Sequence, residues 1–242
     1  MNRITLSAGA AAALRRLEEQ GVILRFGAAV TRAEETRDQV TTCFAQGEPV
    51  VSDLLVLCIG TRARTELARA AGLEVDRGIV VNDSMETSAP GVYAAGGCCQ
   101  GREIMSGGHQ IIGLWANAAY QGQTAGHCMA GDPVLFSGNI LHNITRFMGM
   151  DFVGLGDVRA QGEVYRVGKP SDRRYIEAVV ADGELRCVNL LDSYHISGVV
   201  KNYLMNRFTG NRAPLPTALR GLLAREGFTD GFLSLFEGEA KA

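Results

Sequence analysis

Polar and apolar residues change period several times along this chain, and each change marks an element. Ala10 to Ala13, Leu14 and Leu17 read as an alanine-rich helix running to Gln20, with Ser7 as its N-terminal cap and Gly21 where a left-handed C-terminal residue is wanted. The pattern then shortens: Val22 to Phe26, Val30 to Thr36 and Val40 to Phe44 read as short strands. Gln46-Gly47-Glu48-Pro49 forms a turn before Leu54-Leu55-Val56-Leu57-Cys58-Ile59, an unbroken apolar run suited to a strand covered on both faces, as in a parallel sheet. Gly60 ends it, Thr65 to Ala71 is helical up to Gly72, Gly78 to Asp83 is a strand and turn, and Val92 to Ala95 is a buried strand closed by Gly96-Gly97.

From Gly113 to Ala130 small side chains dominate a helix able to approach a sheet or ligand closely, and Gly131-Asp132-Pro133 ends it. A domain boundary is placed near residue 133. Beyond it, Ile140 to Met148, Phe152 to Gly156, Glu163 to Val167, Arg174 to Ala181 and Glu184 to Leu191 alternate like antiparallel strands, with Asp182-Gly183 as a hairpin turn. Ile196 to Leu204 return to helical spacing, and Pro214 and Pro216 open a segment expected to hold one more short helix before a polar tail.

Composition narrows the class. The 242 residues are 46% hydrophobic and 21% charged, which excludes a disordered or fibrous chain. With 24 basic against 26 acidic side chains, the net charge of −2 provides no field for nucleic acid or an anionic membrane. No apolar stretch is long enough to span a bilayer and the N-terminus resembles no signal peptide, so a cytoplasmic location is expected. Cys43, Cys58, Cys98, Cys99, Cys128 and Cys187 show no zinc-ligand spacing and are expected as reduced, mostly buried thiols. Neither those cysteines nor His109, His127, His142 and His195 suggest a metal site.

Three segments together resemble the FAD-dependent pyridine nucleotide-disulfide oxidoreductase family, in the branch of NADH oxidases, rubredoxin reductases and the nitrite reductase large subunit. Leu54 to Leu67 (LLVLCIGTRARTEL) is similar to that family's strand followed by IGxRPNxEL, with Ala63 and Arg64 replacing proline and asparagine. Gly78 to Cys99 (GIVVNDSMETSAPGVYAAGGCC) resembles GIxVDxxMxTSxPxIYAAGDCA, the most specific match, and Gly97 stands where the family carries an aspartate that bonds the ribityl chain. Gly113 to Gly131 (GLWANAAYQGQTAGHCMAG) is similar to the helix whose N-terminus faces the flavin ring.

The resemblance implies an α/β fold: an incomplete Rossmann-type three-layer unit over residues 1–132, followed by a small α+β interface domain over 133–242. It implies FAD, with NAD(P)H as substrate, and assigns Gly96, Gly97, Leu114 and Trp115 to the flavin and Gly60 to the nicotinamide side. No catalytic residue is assigned.

The family holds both dinucleotides on Gly-rich strand-turn-helix loops, and neither is present here. The nearest string, Gly154 to Arg159, ends in arginine where Gly or Ala is required. The expectation is therefore one component of an FAD-dependent NAD(P)H oxidoreductase passing electrons to an unknown acceptor, with a second polypeptide supplying the phosphate loops. The alternative is a flavin-free scaffold subunit, which Gly97 supports, or an inactive truncated homologue.

Several residues carry two readings. Cys98-Cys99 suits packing better than redox chemistry, because a disulfide between neighbours strains the peptide joining them. His109 sits in a loop that borders the active site in the resembling proteins, or is an ordinary loop residue. Trp115 packs against the second domain or stacks near the flavin. Arg15-Arg16 and Arg173-Arg174 are expected on solvated faces.

Overall fold

The alanine-rich stretch is a helix, α1 (Ala8–Glu19), in this computed structural model, which describes residues 8–147, 149–169, 171–210 and 213–237. The expected Ser7 cap and the polar tail after residue 237 lie outside the described residues. Gly21 follows α1 with φ +86°, and the Val22 N–H donates to the Leu17 carbonyl at 3.0 Å, closing the helix as its glycine requires.

Two compact units divide the chain: Leu14–Arg62, and Ala63–Ala242 with Met1–Ala13. In the first, β1 (Val30–Glu35), β2 (Val40–Phe44) and β3 (Val50–Ser52) form an antiparallel meander with a bulge between Val30 and Arg32. Two expected strands are absent. Residues 22–26 and 54–59 are irregular, with Leu54 74% and Ile59 90% exposed. A run apolar on both faces needs neighbouring strands to accept its backbone groups and neighbouring layers to cover its side chains. The described residues provide it with no pairing partner, so the run stays irregular and mostly exposed. Cys58, expected to be buried, is exposed for the same reason.

The second unit begins with α2 (Glu66–Ala70), stopped by Gly72 at φ +74°. β4 (Ile79–Val80) pairs in parallel with β5 (Cys99–Arg102), which pairs antiparallel with β6 (His109–Gln110). The expected strand at Val92–Ala95 is reduced to a single bridge between Glu86 and Tyr93. Tight local bonds cause this: Thr87 N–H donates to the Val92 carbonyl at 2.8 Å and Ala94 N–H to that of Met85 at 3.0 Å, folding the segment back on itself. α3 (Trp115–Met129) covers a small core of Val81, Met85, Cys99, Ala125 and Phe136. The fold is mixed α/β, but among the described residues its parallel pairing is limited to β4 with β5 and a single bridge between Glu103 and Asn139.

After residue 140 the alternating pattern becomes a five-stranded antiparallel sheet. Its strands are β7 (His142–Phe147), β8 (Met150–Gly156), β9 (Glu163–Val167), β10 (Tyr175–Ala181) and β11 (Glu184–Leu191), in the order β7-β8-β11-β10-β9. Asp182 and Gly183 have φ of +56° and +72°, the two positive values a two-residue hairpin demands. Val153, Leu155, Ile176, Ala178, Val188 and Leu190 share one face, as period-two alternation dictates.

That face is covered by α4 (Ser197–Phe208), α5 (Thr217–Arg225) and α6 (Asp230–Glu237) through Val200, Leu204, Leu223, Phe232 and Leu233. Each such fully buried aliphatic side chain contributes about 1.5–3 kcal/mol. Two helices, not one, follow Pro216 because Gly227 at φ +91° breaks the segment between Arg225 and Asp230.

Arg173 and Arg174 are exposed, as expected of a solvated face, and each is also paired. The turn at Asp192 brings a carboxylate 3.3 Å from Arg173, and the end of α5 brings Glu226 2.6 Å from Arg174.

Candidate functional site

α3 starts abruptly. Leu114 is extended at φ −120° and ψ 140°, no side chain caps the helix, and the first intrahelical bond runs from Ala118 N–H to the Leu114 carbonyl at 3.0 Å. A helix start of this kind presents first-turn N–H groups with no intrahelical acceptor and a partial positive charge. Trp115 is 91% exposed, so the expected packing against the second domain does not occur. Its indole projects from the helix start because the buried face of α3 belongs to Asn117, Gln121, Thr124 and Ala125.

The Gly96-Gly97 turn is fastened to this helix. Gly96 has φ +87°, and a Cβ placed on it would stand 3.3 Å from the Ala118 methyl, so only glycine meets both demands. Its N–H donates to Gln121 Oε1 at 2.7 Å, and its carbonyl accepts the Cys99 N–H at 3.2 Å. Gly97 differs sharply: a Cβ there would have nothing within 4 Å. The structure thus brings Gly96, Gly97, Leu114 and Trp115 to one end of α3. Gly60 belongs to the Leu14–Arg62 unit, where it is exposed at φ +103°.

Sequence reasoning missed the polar side chains that hold this arrangement. Asn117 is fully buried; its Nδ2 donates to the Ile112 carbonyl at 3.1 Å and its Oδ1 accepts from Asn139 Nδ2 at 3.0 Å. Gln100 Oε1 accepts the Gly78 N–H at 2.8 Å, and Gly101 lies flat against the Gln121 amide, where any Cβ would collide. One signal was available: Asn117, Gln121, Thr124 and Ala125 recur at helical spacing, marking a buried face made largely of amides.

The loop leading into His109, the first residue of β6, is organised by buried Glu103, whose carboxylate accepts the Met105 and Ser106 N–H groups at 3.0 and 2.9 Å. His109 Nε2 lies 3.7 Å from Asp83 Oδ1, while Arg102 holds the other Asp83 oxygen at 3.1 Å. Cys98 and Cys99 are free thiols that donate to the Ala95 and Gly96 carbonyls at 3.3 and 3.4 Å. Burial pushes the Cys99 thiol up to about 12, which removes the thiolate that redox or nucleophilic chemistry needs. Among the described residues no cluster of His, Cys, Asp and Glu could hold a metal.

These features decide how a flavin dinucleotide fits. The turn at Gly97 and the open start of α3 leave room and N–H donors for the ring and ribityl end. Among the described residues none offers a cradle for the diphosphate: Gly154 to Gly156, the nearest Gly-rich string, lies inside antiparallel strand β8 and precedes no helix.

Residues 3–122 match the family model described as pyridine nucleotide-disulphide oxidoreductase. The ferredoxin–NAD(+) reductase component of 3-phenylpropionate/cinnamic acid dioxygenase from Photorhabdus laumondii is 35% identical over 118 residues, 49% of this chain and 30% of that protein. Rubredoxin-NAD(+) reductase from Pseudomonas putida is 33% identical over 132 residues, 54% of this chain and 34% of the relative. The epsilon subunit of NADH-dependent phenylglyoxylate dehydrogenase from Aromatoleum evansii is 29% identical over 186 residues, 75% and 44% of the two chains. The chain thus spans less than half the length of these relatives.

Among solved structures, the covalent putidaredoxin reductase–putidaredoxin complex aligns with a TM-score of 0.79 at 23% identity, covering all of this chain and 56% of that one. The water-forming NADH oxidase from Lactobacillus brevis aligns at 0.72 and 20%, covering 81% and 48%. Among the described residues no helix is long and apolar enough to cross a membrane.

Proposed function

Through residues 3–122 this chain belongs to the FAD-dependent pyridine nucleotide-disulphide oxidoreductase family, and on that footing we propose that it forms the flavin-ring side of an NAD(P)H oxidoreductase. The observation that carries the proposal is the Gly96-Gly97 turn buttoned by Gln121 and Ala118 onto the uncapped start of α3. When bound, the flavin accepts a hydride from the nicotinamide and passes electrons on, so the protein's share is placement and electrostatics.

The chain's own residues then have defined tasks. First-turn amides of α3, around Leu114 and Trp115, would donate to the edge of the ring that gains negative charge. Gly96 and Gly97 would let the ribityl chain approach the backbone, and Gln121 would keep that turn in register. The Trp115 indole, held out from the helix start, is available to lie over an aromatic ring. Gly60 would lie on the nicotinamide side.

The diphosphate and the adenosine ends would be held by a second polypeptide. The unpaired apolar run Leu54–Ile59 supports this, since it has the composition of an interior strand and an exposure no interior strand tolerates. One relative is itself named as a subunit of a larger dehydrogenase, and others are named as reductases of rubredoxin or ferredoxin, so a small electron-carrier protein is the acceptor we propose.

Native mass spectrometry with an absorption spectrum, on protein purified from its own host, tests both parts. The expected result is a complex heavier than this chain that carries the visible absorption of an oxidised flavin. A second reading, a flavin-free scaffold subunit, is favoured by the missing carboxylate at Gly97. A colourless complex would support that second reading and overturn the first.

A further inference from the structure

The second unit contains a cavity of about 550 Å³, open on one side, between the C-terminal half of α3, the loop 134–138 and the first turns of α4. Its volume lies within the range of ordinary small-molecule sites. Val134, Phe136 and Met205 supply apolar wall, while Gln123, Asn202 and Lys201 supply polar groups, and no Asp or Glu is among the lining residues.

Lys201 is the unusual member. Its side chain is half-buried, and among the described residues no carboxylate lies within ion-pairing distance of it. Its polar neighbour is His142 Nε2, at 3.4 Å. His142 Nδ1 lies 3.1 Å from the Ile140 carbonyl, which can only accept, so Nδ1 carries the proton and Nε2 accepts from the Lys201 ammonium. Burial lowers the pKa of both groups, and the nearby ammonium lowers that of His142 further. The Nε2 lone pair of the imidazole orients the Lys201 ammonium.

A half-desolvated cation with one neutral partner costs free energy that an anion in the adjacent cavity would recover. An inorganic anion alone would leave the Val134, Phe136 and Met205 surface wet. We propose that this cavity binds an organic carboxylate, with its anionic end on Lys201 and its apolar body against Val134, Phe136 and Met205. Asn202 and Gln123 supply amide donors for the second carboxylate oxygen. Gly96, Gly97, Leu114 and Trp115 are not among its lining residues, and the proposal does not depend on flavin.

The test uses the full chain, with 4-phenylbutyrate as probe and 4-phenylbutyramide as its neutral counterpart, followed by ligand-observed NMR titration. Saturable binding of the acid is expected, weakened at least tenfold in the amide and at least tenfold in Lys201→Gln, and retained in Lys201→Arg. Met205→Trp, which fills the cavity from its wall, should abolish binding without touching the ammonium. Circular dichroism confirms that each variant is folded, and the acid-against-amide comparison on the unaltered chain decides if one is not. No saturable binding, or equal binding of acid and amide, would overturn the proposal and leave the flavin reading untouched.

Discussion

Restoring a carboxylate at residue 97 is the sharpest probe of the flavin-ring reading. The Cβ added by Gly97→Asp meets no steric obstacle, since it has nothing within 4 Å and the backbone is outside the left-handed region. Folding stability should therefore change little. A carboxylate bonded to a ribityl hydroxyl is worth about 1.5–3 kcal/mol, the range for hydrogen bonds to charged groups. At about 1.4 kcal/mol per decade, that is roughly a 10- to 150-fold gain in flavin affinity.

Riboflavin titrated into the full chain, followed by quenching of its fluorescence, measures the gain without involving the absent diphosphate cradle. The neighbouring glycine is the control. Gly96→Ala forces a methyl into φ +87° and 3.3 Å from Ala118, and should lower stability by about 1–3 kcal/mol. If Gly97→Asp folds normally and binds riboflavin no more tightly than the unaltered chain, the ring end of a flavin does not lie at this turn.

Other outcomes follow from the same geometry. Gln121→Leu removes the acceptor of the buried Gly96 N–H and should cost about 1–3 kcal/mol in urea unfolding, whereas an unchanged midpoint would mean that water replaces the amide. Iodoacetamide at pH 8, read by peptide mass spectrometry, should label exposed Cys58 first and leave Cys99 and Cys187, both pushed by burial to about 12, unmodified until the protein unfolds. His142 has a folded pKa below its ordinary 6.5, so the unfolded chain binds the extra proton. Stability should therefore hold above pH 6.5 and fall as acidity approaches the folded value, and His142→Gln should flatten that part of a melting-temperature profile.

Short-range chemistry was readable directly from the order of residues. Gly21, Gly72 and Gly131 stop helices because left-handed backbone is costly for other residues, and Asp182-Gly183 makes a hairpin through two successive positive φ angles. Strands β2, β9 and β11 begin and end where the residue pattern predicts, since period two is enforced by the pleat of each strand. The Gly96-Gly97 turn and the start of α3 were located by motif, and the contact between them follows from Ala118 being small.

Tertiary structure decided everything that needs a second segment. Residues 54–59 have the composition of an interior strand, yet a strand is defined by its neighbours, and composition says nothing about whether they are present. Trp115 has the largest apolar surface of any residue type and is nevertheless exposed, because amide side chains take the buried face of its helix. The clasp of Gln121 on Gly96 and the meeting of Lys201 with His142, 59 positions apart, depend on where whole elements pack. Local propensity acts over a few residues, whereas burial of a polar group is settled only when the full chain has closed around it.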